Sequence, residues 1–181
     1  MIKKIFIFVF IIFTTPINSQ EKLVNLLNDG NKLIFIRHAY APGTGDPENF
    51  NLKDCTTQRN LSQKGIDQSK EIGLFFTENK IQIDKVLSSE WCRCKDTAKY
   101  AFNDYKTFDA LNSFYDARFT KNKAKQIKDL KKYISSWDSK KNLVLVTHFV
   151  VISETLSTGS ASGEIIVSDQ NFNIIGNIET N

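Results

Sequence analysis

Short apolar runs alternate with amphipathic segments along this chain, and each apolar run ends abruptly in polar residues. Runs of this kind are typical of strands that are buried on both faces of a sheet. Near the end of the chain, apolar and polar positions alternate instead, which predicts a closing antiparallel hairpin. The predicted strands cover residues 33–36, 81–87, 107–111, 143–146, 164–167 and 172–178.

Apolar residues at helical spacing mark most of the segments between these strands. Five of them lie three or four positions apart between residues 124 and 137, which predicts an amphipathic helix. Ser62 is a suitable N-cap for another helix. The predicted helices cover residues 21–27, 63–79, 91–102, 124–137 and 150–157.

Strands and helices therefore alternate through most of the chain. This order predicts an α/β fold, a three-layer α/β/α sandwich with a mostly parallel central sheet and helices on both faces. At 181 residues the chain has the length of one domain. We expect that domain to span residues 21–181.

The first twenty residues have the layout of a secretory signal peptide. Lys3 and Lys4 precede an uninterrupted apolar run at residues 5–13, which is followed by small or polar residues. The apolar run is too short for a stable transmembrane helix, and the alternative is a buried N-terminal element. We expect cleavage near Ser19 or Gln20, a periplasmic or secreted protein, and no stable membrane anchor.

The charge balance gives no reason to expect a polyanionic partner. The chain has a net charge of +4, and removal of the signal peptide with its two lysines leaves about +2. We therefore expect no binding to nucleic acid or to anionic membranes. The oligomeric state stays open.

Three cysteines, Cys55, Cys92 and Cys94, leave at least one thiol free or paired outside the chain. Because an exported protein can hold disulfides, we expect a bridge from Cys55 to Cys92 or Cys94. That bridge would tie the long loop at residues 41–60 to the segment around Arg93. Three ordinary thiols are the alternative. The cysteine and histidine spacings of zinc sites are missing, and we expect neither a metal nor another cofactor.

Both histidines of the chain follow apolar runs, and arginines accompany them. Arg37 and His38 follow the first run directly, His148 follows the run at residues 143–146, and Arg93 follows the second run after a short polar segment. The carboxyl ends of parallel strands meet at one edge of a sheet, so we expect these four side chains to converge. Arginine forks and a protonated imidazole can neutralise a phosphoryl group, and a second imidazole can attack phosphorus.

Four short motifs support this chemistry by their order. They read Arg-His-Ala at residues 37–39, Asn-Leu-Ser-Gln-Lys-Gly at the start of residues 60–73, Ser-Ser-Glu-Trp-Cys-Arg-Cys-Lys-Asp-Thr-Ala at residues 88–98, and Val-Thr-His at residues 146–148. In the same order, they resemble the motifs of the histidine phosphatase superfamily, which includes the cofactor-dependent phosphoglycerate mutases. The resemblance spans most of residues 21–181 and implies a phosphoglycerate mutase-like fold.

The resemblance also implies roles for individual residues. His38 takes the place of the phosphohistidine nucleophile, and Arg37, Arg93 and His148 take the places that hold the phosphoryl oxygens. Thr44 lies in the loop where the family often has a further phosphate contact. For Arg59 two readings stay open, a contact with the substrate and a structural ion pair.

The proton donor departs from the family pattern. Ser113 stands in the segment where mutase-type members carry a glutamate. Two departures elsewhere are Ala39 and Phe149, each of which replaces a common glycine. A phosphatase that acts on alkyl phosphates needs an acid for the leaving oxygen. Asp116 is our first choice for that acid. The other candidates are Asp46, Glu48 and Glu154.

The expected function is that of an exported, metal-independent phosphatase that hydrolyses phosphomonoesters through a phosphohistidine intermediate on His38. Its substrate would be a small molecule or an envelope-glycan phosphomonoester such as a sugar phosphate. Two alternatives are a non-catalytic phosphate-binding module of the same fold and a phosphohistidine phosphatase. A mutase is disfavoured by the missing glutamate and the short chain.

Overall fold

The computed structural model describes residues 19–138 and 140–180. The expected signal peptide lies outside the described residues except for Ser19 and Gln20, which begin the first helix. The helices are α1 Ser19–Asn28, α2 Gln63–Glu78, α3 Cys92–Phe102, α4 Lys123–Ser135 and α5 Phe149–Leu156. The strands are β1 Leu33–Arg37, β2 Ile83–Ser88, β3 Lys106–Thr107, β4 Asn142–Thr147, β5 Ile165–Ser168 and β6 Ile174–Ile178.

The strands form one mixed sheet in the order β3-β2-β4-β1-β5-β6. The pairs β2–β3, β2–β4 and β1–β4 are parallel, whereas β1–β5 and β5–β6 are antiparallel. The predicted α/β fold is therefore confirmed, but the expected mostly parallel sheet is only partly correct. The closing hairpin was predicted, and its first strand enters the sheet antiparallel beside β1.

Each face of the sheet carries its own apolar core. Ile34 and Ile36 of β1 point toward the core shared with α1, α2 and α3, whereas Leu33 and Phe35 point toward the core beneath α4 and α5. Successive side chains of a strand point to opposite faces, so a strand buried on both sides must be apolar throughout. This is the physical reason that continuous apolar runs marked the central strands.

The start of α2 fixes the backbone that follows β1. Ser62 caps the helix, and its side chain accepts a hydrogen bond from the Gly65 nitrogen at 3.3 Å. A Cβ at Gly65 would lie 2.1 Å from the carbonyl oxygen of Tyr40, so only glycine permits this close approach. The side chain of Gln68 accepts a hydrogen bond from the Tyr40 nitrogen at 2.9 Å. These contacts hold the chain in place just after His38.

The predicted strand at residues 107–111 is wrong in most of its length. Strand β3 has two residues, and a short 3-10 turn follows at Asp109–Leu111. The Gln126 side chain of α4 donates hydrogen bonds to the carbonyl oxygens of Asp109 and Asn112, at 2.8 and 3.0 Å. Carbonyl groups that find such partners do not need a neighbouring strand. The turn also buries Leu111 in the core beneath α4 and α5.

Candidate active site

The carboxyl ends of β1, β2 and β4 bring the two histidines together. The backbone nitrogen of His38 donates to the Thr147 oxygen, and that of Ser89 donates to the Val146 oxygen, each at 2.9 Å. These bonds continue the pairing of the strands by one residue. The ring centroids of His38 and His148 lie 5.5 Å apart. The two imidazoles therefore share one small region at the edge of the sheet.

A cavity of about 260 Å³ opens beside these rings. The acid candidates Glu48 and Glu154 do not line it, whereas eight of the side chains that the sequence suggested do: Arg37, His38, Thr44, Asp46, Arg59, Arg93, Asp116 and His148. The wall also contains several side chains to which sequence analysis assigned no role: Ser113, Trp91, Tyr115, Phe119 and Val150. The site thus combines a basic floor with partly aromatic walls.

The surroundings of His38 leave one of its ring nitrogens free to act as a nucleophile. Its Nδ1 lies 2.9 Å from the Ala39 carbonyl oxygen, which can only accept a hydrogen bond. Nδ1 therefore carries the proton, and Nε2 keeps its lone pair. Burial, followed by the positive charge of Arg93, lowers the pKa of His38 well below its ordinary value. The imidazole is consequently neutral at neutral pH.

A chain of hydrogen bonds sets the tautomer of His148. The Asn112 amide nitrogen donates to the Glu90 carboxylate at 2.7 Å, so its oxygen is the group that accepts from the Ser89 hydroxyl at 3.0 Å. Because the Ser89 proton is used there, the Ser89 oxygen accepts from Nε2–H of His148 at 2.9 Å. This leaves Nδ1 of His148 for a ligand. Burial and Arg93 also lower the pKa of this histidine.

Ser89 and Asn112 are positions of the candidate site that sequence analysis missed. Ser89 lies within a motif that suggested the family, but only the structure connects it to His148. Asn112 had no recognisable signal, because it lies in an irregular segment after the short 3-10 turn. Its distance from Ser89 in the chain, 23 residues, follows no periodic pattern.

Arg93 is paired with a carboxylate. Its two terminal nitrogens donate to the two oxygens of Asp46, at 2.7 and 3.1 Å. The Trp91 indole and the Arg59 backbone nitrogen also donate to this carboxylate, each at 3.1 Å. Burial alone would raise the pKa of Asp46, but the hydrogen bond and charge of Arg93, together with the hydrogen bonds from the Arg59 backbone and Trp91, outweigh it and lower that pKa. Asp46 is therefore ionised in this arrangement.

Two buried guanidinium donors remain without acceptors. Arg37 donates through one terminal nitrogen to the Ser160 carbonyl oxygen at 2.6 Å, but its buried Nε has no partner among the described residues. The buried Nε of Arg93 has none there either. A buried donor without an acceptor is costly, so the site is suited to an anion that supplies acceptor oxygens.

Arg59 holds the loop at residues 41–60 in shape. Its guanidinium donates to the carbonyl oxygens of Ala41 and Gly45, the latter at 2.9 Å. Thr44 lies between Gly43 and Gly45, whose φ angles of +86° and +67° belong to the region that favours glycine. Arg59 lines the cavity, but these bonds make the loop its main partner.

The geometry argues against Asp116 as the proton donor. Its carboxylate accepts hydrogen bonds from Nε and one terminal nitrogen of Arg118, at 2.9 and 2.8 Å. These bonds lower the pKa of Asp116 to about 2, so the carboxylate holds no proton to donate near neutral pH. Of the other candidates, Glu154 pairs with Lys123 at 2.7 Å, and neither it nor Glu48 lines the cavity.

A disulfide connects the loop to the start of α3. Cys55 is bonded to Cys92, with 5.7 Å between their Cα atoms, whereas Cys94 is free and buried. The expected bridge from Cys55 is thus confirmed, and the structure selects Cys92 as its partner. Next to it, the Gln58 side chain accepts a hydrogen bond from the Cys92 nitrogen at 2.9 Å. Together these links place the loop beside Arg93.

We expect the free protein to lose stability as the pH falls below about 6.5. Both histidine pKa values are lower in the folded protein than in the unfolded chain, so the unfolded chain binds protons first as the pH falls. Stability therefore rises with pH in this range, by at most about 2.7 kcal/mol per pH unit for two protons. Urea unfolding between about pH 5 and 7.5 measures this slope.

The His38→Asn variant is the control for this slope, because it removes one of the two titrating groups and should lower the slope by about half. A free energy of unfolding that does not change with pH in this range would contradict the buried, neutral state of the two rings.

The fold matches solved structures of the histidine phosphatase type. A phosphoglycerate mutase from Thermus thermophilus is 13% identical with a TM-score of 0.60, covering 83% of this chain and 99% of its own. The protein histidine phosphatase SixA, solved with tungstate, is 14% identical with a TM-score of 0.56, covering 81% and 96%. A phosphoserine phosphatase from Entamoeba histolytica is 16% identical with a TM-score of 0.52, covering 75% and 89%.

No protein-family model matches the chain, and no curated protein matches its sequence. The solved structures share the fold of this chain, a phosphoglycerate mutase-like α/β fold, which is the fold that the four motifs implied.

Within residues 19–138 and 140–180, no three side chains of the types His, Cys, Asp and Glu are grouped so that they could hold a metal ion. In the same ranges, no helix has the length and apolar character needed to cross a bilayer.

Proposed function

We propose that this chain is an exported, metal-independent phosphatase that hydrolyses phosphomonoesters through a phosphohistidine on His38. The observation that carries the proposal is the pairing of a neutral His38, whose Nε2 is free, with His148 at a distance of 5.5 Å between ring centroids. Arg37 and Arg93 line the same cavity, and each adds a buried donor that has no acceptor among the described residues. Such a set of groups can hold a phosphoryl group and attack it.

The reaction proceeds in two steps. Nε2 of His38 attacks phosphorus, the bond between phosphorus and the ester oxygen breaks, and the leaving oxygen takes up a proton. Water then attacks the phosphohistidine, gives up a proton and releases inorganic phosphate. Arg37 and Arg93 stabilise the phosphoryl oxygens as charge shifts among them, because guanidinium forks match their geometry.

His148 acts in both steps as a third cation beside Arg37 and Arg93. Its pKa is low in the free protein, where burial disfavours the charged ring and Arg93 repels a further positive charge. A bound phosphoryl dianion reverses that balance and favours protonation at Nδ1. The imidazolium then donates to a phosphoryl oxygen, while Nε2–H stays bonded to Ser89. Substrate binding should therefore be accompanied by proton uptake.

Two features support export as part of the proposal. Residues 1–20 have the layout of a signal peptide. The Cys55–Cys92 disulfide persists most readily in an oxidising compartment such as the periplasm or the extracellular space. The substrate would be a small-molecule or envelope-glycan phosphomonoester, because the cavity of about 260 Å³ has room for little more than a phosphoryl group and one compact substituent.

Rapid quenching tests the function. The mature protein is mixed with labelled p-nitrophenyl phosphate and quenched in alkali, where phosphohistidine survives, and the label should appear on the chain at a stoichiometry approaching one. Excess EDTA should leave both label and turnover unchanged. A panel of sugar phosphates, nucleotides, phytate, phosphoamino acids and phosphohistidine then ranks the substrates.

The outcomes separate the alternatives. Tungstate binding without label or turnover would identify a non-catalytic phosphate-binding module. Turnover that is lost in EDTA would contradict the metal-independent mechanism. A strong preference for phosphohistidine over every ester would favour a phosphohistidine phosphatase, because the structurally similar SixA is a protein histidine phosphatase.

A further inference from the structure

Asp46 occupies the part of Arg93 that a phosphoryl group would need. Both carboxylate oxygens accept from the two terminal nitrogens of Arg93, at 2.7 and 3.1 Å, in the planar geometry that guanidinium groups also offer to phosphate. Only 9% of the Asp46 side chain and 3% of the Arg93 side chain are exposed. Asp46 and a substrate phosphoryl group therefore compete for the same buried donors.

Asp46 is also the carboxylate best placed to serve the leaving group. Two carboxylates line the cavity, and the other one, Asp116, is held ionised by Arg118. Asp46 has two further donors, the Trp91 indole and the Arg59 backbone nitrogen. These two bonds can keep the carboxyl group in the cavity wall when Arg93 turns to another anion.

The loop around Asp46 allows the small displacement that this exchange requires. Gly45, directly before Asp46, has a φ of +67°, and a Cβ at this position would meet no atom within 4 Å. The loop is anchored before Asp46, where Arg59 donates to the Gly45 carbonyl oxygen, and after Asp46, where Cys55 is bonded to Cys92. Asp46 can thus shift locally without release of the loop.

We propose that Asp46 is a substrate-switched proton donor, which holds Arg93 until a phosphoryl group displaces it and then protonates the leaving oxygen. This inference rests on the proposed function, since it assigns the acid for the same reaction. Loss of the Arg93 pair removes the main contribution that keeps the pKa of Asp46 low. Burial and the neighbouring phosphoryl dianion then both favour the protonated carboxyl group.

The proton balance closes over the cycle. Asp46, displaced from Arg93, takes a proton from solvent. As the bond between His38 Nε2 and phosphorus forms and the ester bond breaks, this proton moves to the leaving oxygen and yields the free alcohol. The Asp46 carboxylate then accepts a proton from the water that attacks the phosphohistidine. Phosphate departs, Asp46 releases this second proton to solvent, and its carboxylate pairs with Arg93 again.

The Asp46→Asn variant tests the inference with two measurements that move in opposite directions. Turnover of an alkyl phosphate should fall by about 10²–10⁴-fold, because asparagine has no proton to donate. Turnover of p-nitrophenyl phosphate, whose leaving group needs little help, should fall far less and should still label His38. Tungstate should bind about tenfold more tightly, because a charged competitor for Arg93 has been removed.

Two further variants make the result specific. Asp54→Asn is the matched control: Asp54 lies in the same loop, is fully exposed and caps the short 3-10 turn at Cys55–Thr57 rather than lining the cavity. It should change neither measurement. Asp116→Asn tests the rival acid, and it should leave the ratio of alkyl to aryl turnover unchanged.

An equal loss on alkyl and aryl phosphates, with weaker tungstate binding, would show that Asp46 is only structural and would overturn the inference. A selective loss on alkyl phosphates in Asp116→Asn would overturn it in favour of Asp116. If the wild type forms no phosphohistidine at all, the proposed function fails and takes the donor role with it. The tungstate comparison would still decide whether Asp46 competes for Arg93.

Discussion

Replacement of His38 by asparagine is expected to lower the turnover of every phosphomonoester by at least ~10³-fold and to abolish the phosphoenzyme. His38 supplies the only nitrogen that the proposed reaction joins to phosphorus, and its Nδ1–H is fixed on the Ala39 carbonyl so that Nε2 is free for attack. Asparagine has a similar polar size but no nucleophilic nitrogen. Steady-state kinetics on p-nitrophenyl phosphate and quenched labelling measure the two effects.

Tungstate affinity provides the control for this variant. Arg37, Arg93 and His148 keep their donors when His38 is replaced, so tungstate should still bind and should still raise the melting temperature. His148→Asn should behave differently, with weaker tungstate binding and a slower reaction that still labels the chain. Label that survives in His38→Asn and disappears in His148→Asn would show that the roles of the two histidines have been exchanged.

Replacement of both Cys55 and Cys92 by serine is expected to lower the free energy of unfolding by about 4 kcal/mol. The disulfide joins residues 37 positions apart, and its removal restores chain entropy to the unfolded state. Turnover of alkyl phosphates should also fall, because the loop that carries Asp46 is held beside Arg93 by this bridge. Urea unfolding and alkyl phosphate kinetics measure the two consequences.

A reductant distinguishes the disulfide from other effects of the substitutions. Reduction of the wild-type protein should reproduce the loss of stability, and the same treatment should leave the double variant unchanged. Cys94 stays reduced throughout, and burial raises its pKa to about 12, so it has little tendency to react. A wild-type protein that keeps its stability after verified reduction would contradict a stabilising role of the bridge.

Much of the fold could be predicted from the sequence because the relevant signals are local. The apolar run at residues 33–36 predicted β1, and Ser62 marked the start of α2. The strand predicted at residues 107–111 was wrong because its apolar residues serve a buried turn, whose carbonyls bond to Gln126. Apolar character alone does not distinguish a short strand from a buried turn.

The disulfide and the acid show where local signals end. The cysteine count and the expected export suggested a bridge from Cys55, but both Cys92 and Cys94 lay in the segment that it was expected to reach. The structure turns Cys94 inward, to within 3.4 Å of His148, and leaves Cys92 toward the loop. Likewise, Asp116 looked suitable as an acid until Arg118, two residues away, was seen to hold it ionised.

The sequence by itself determined the order of strands and helices and the placement of Arg37, His38 and His148 at the ends of buried strands. It could do so because burial on a sheet imposes a periodicity that residues reveal one segment at a time. Only the tertiary structure decided that Asp46 holds Arg93, 47 residues away, and that Ser89 and Asn112 orient His148. Those hydrogen bonds depend on the path of irregular loops, for which the order of residues carries no repeating signal.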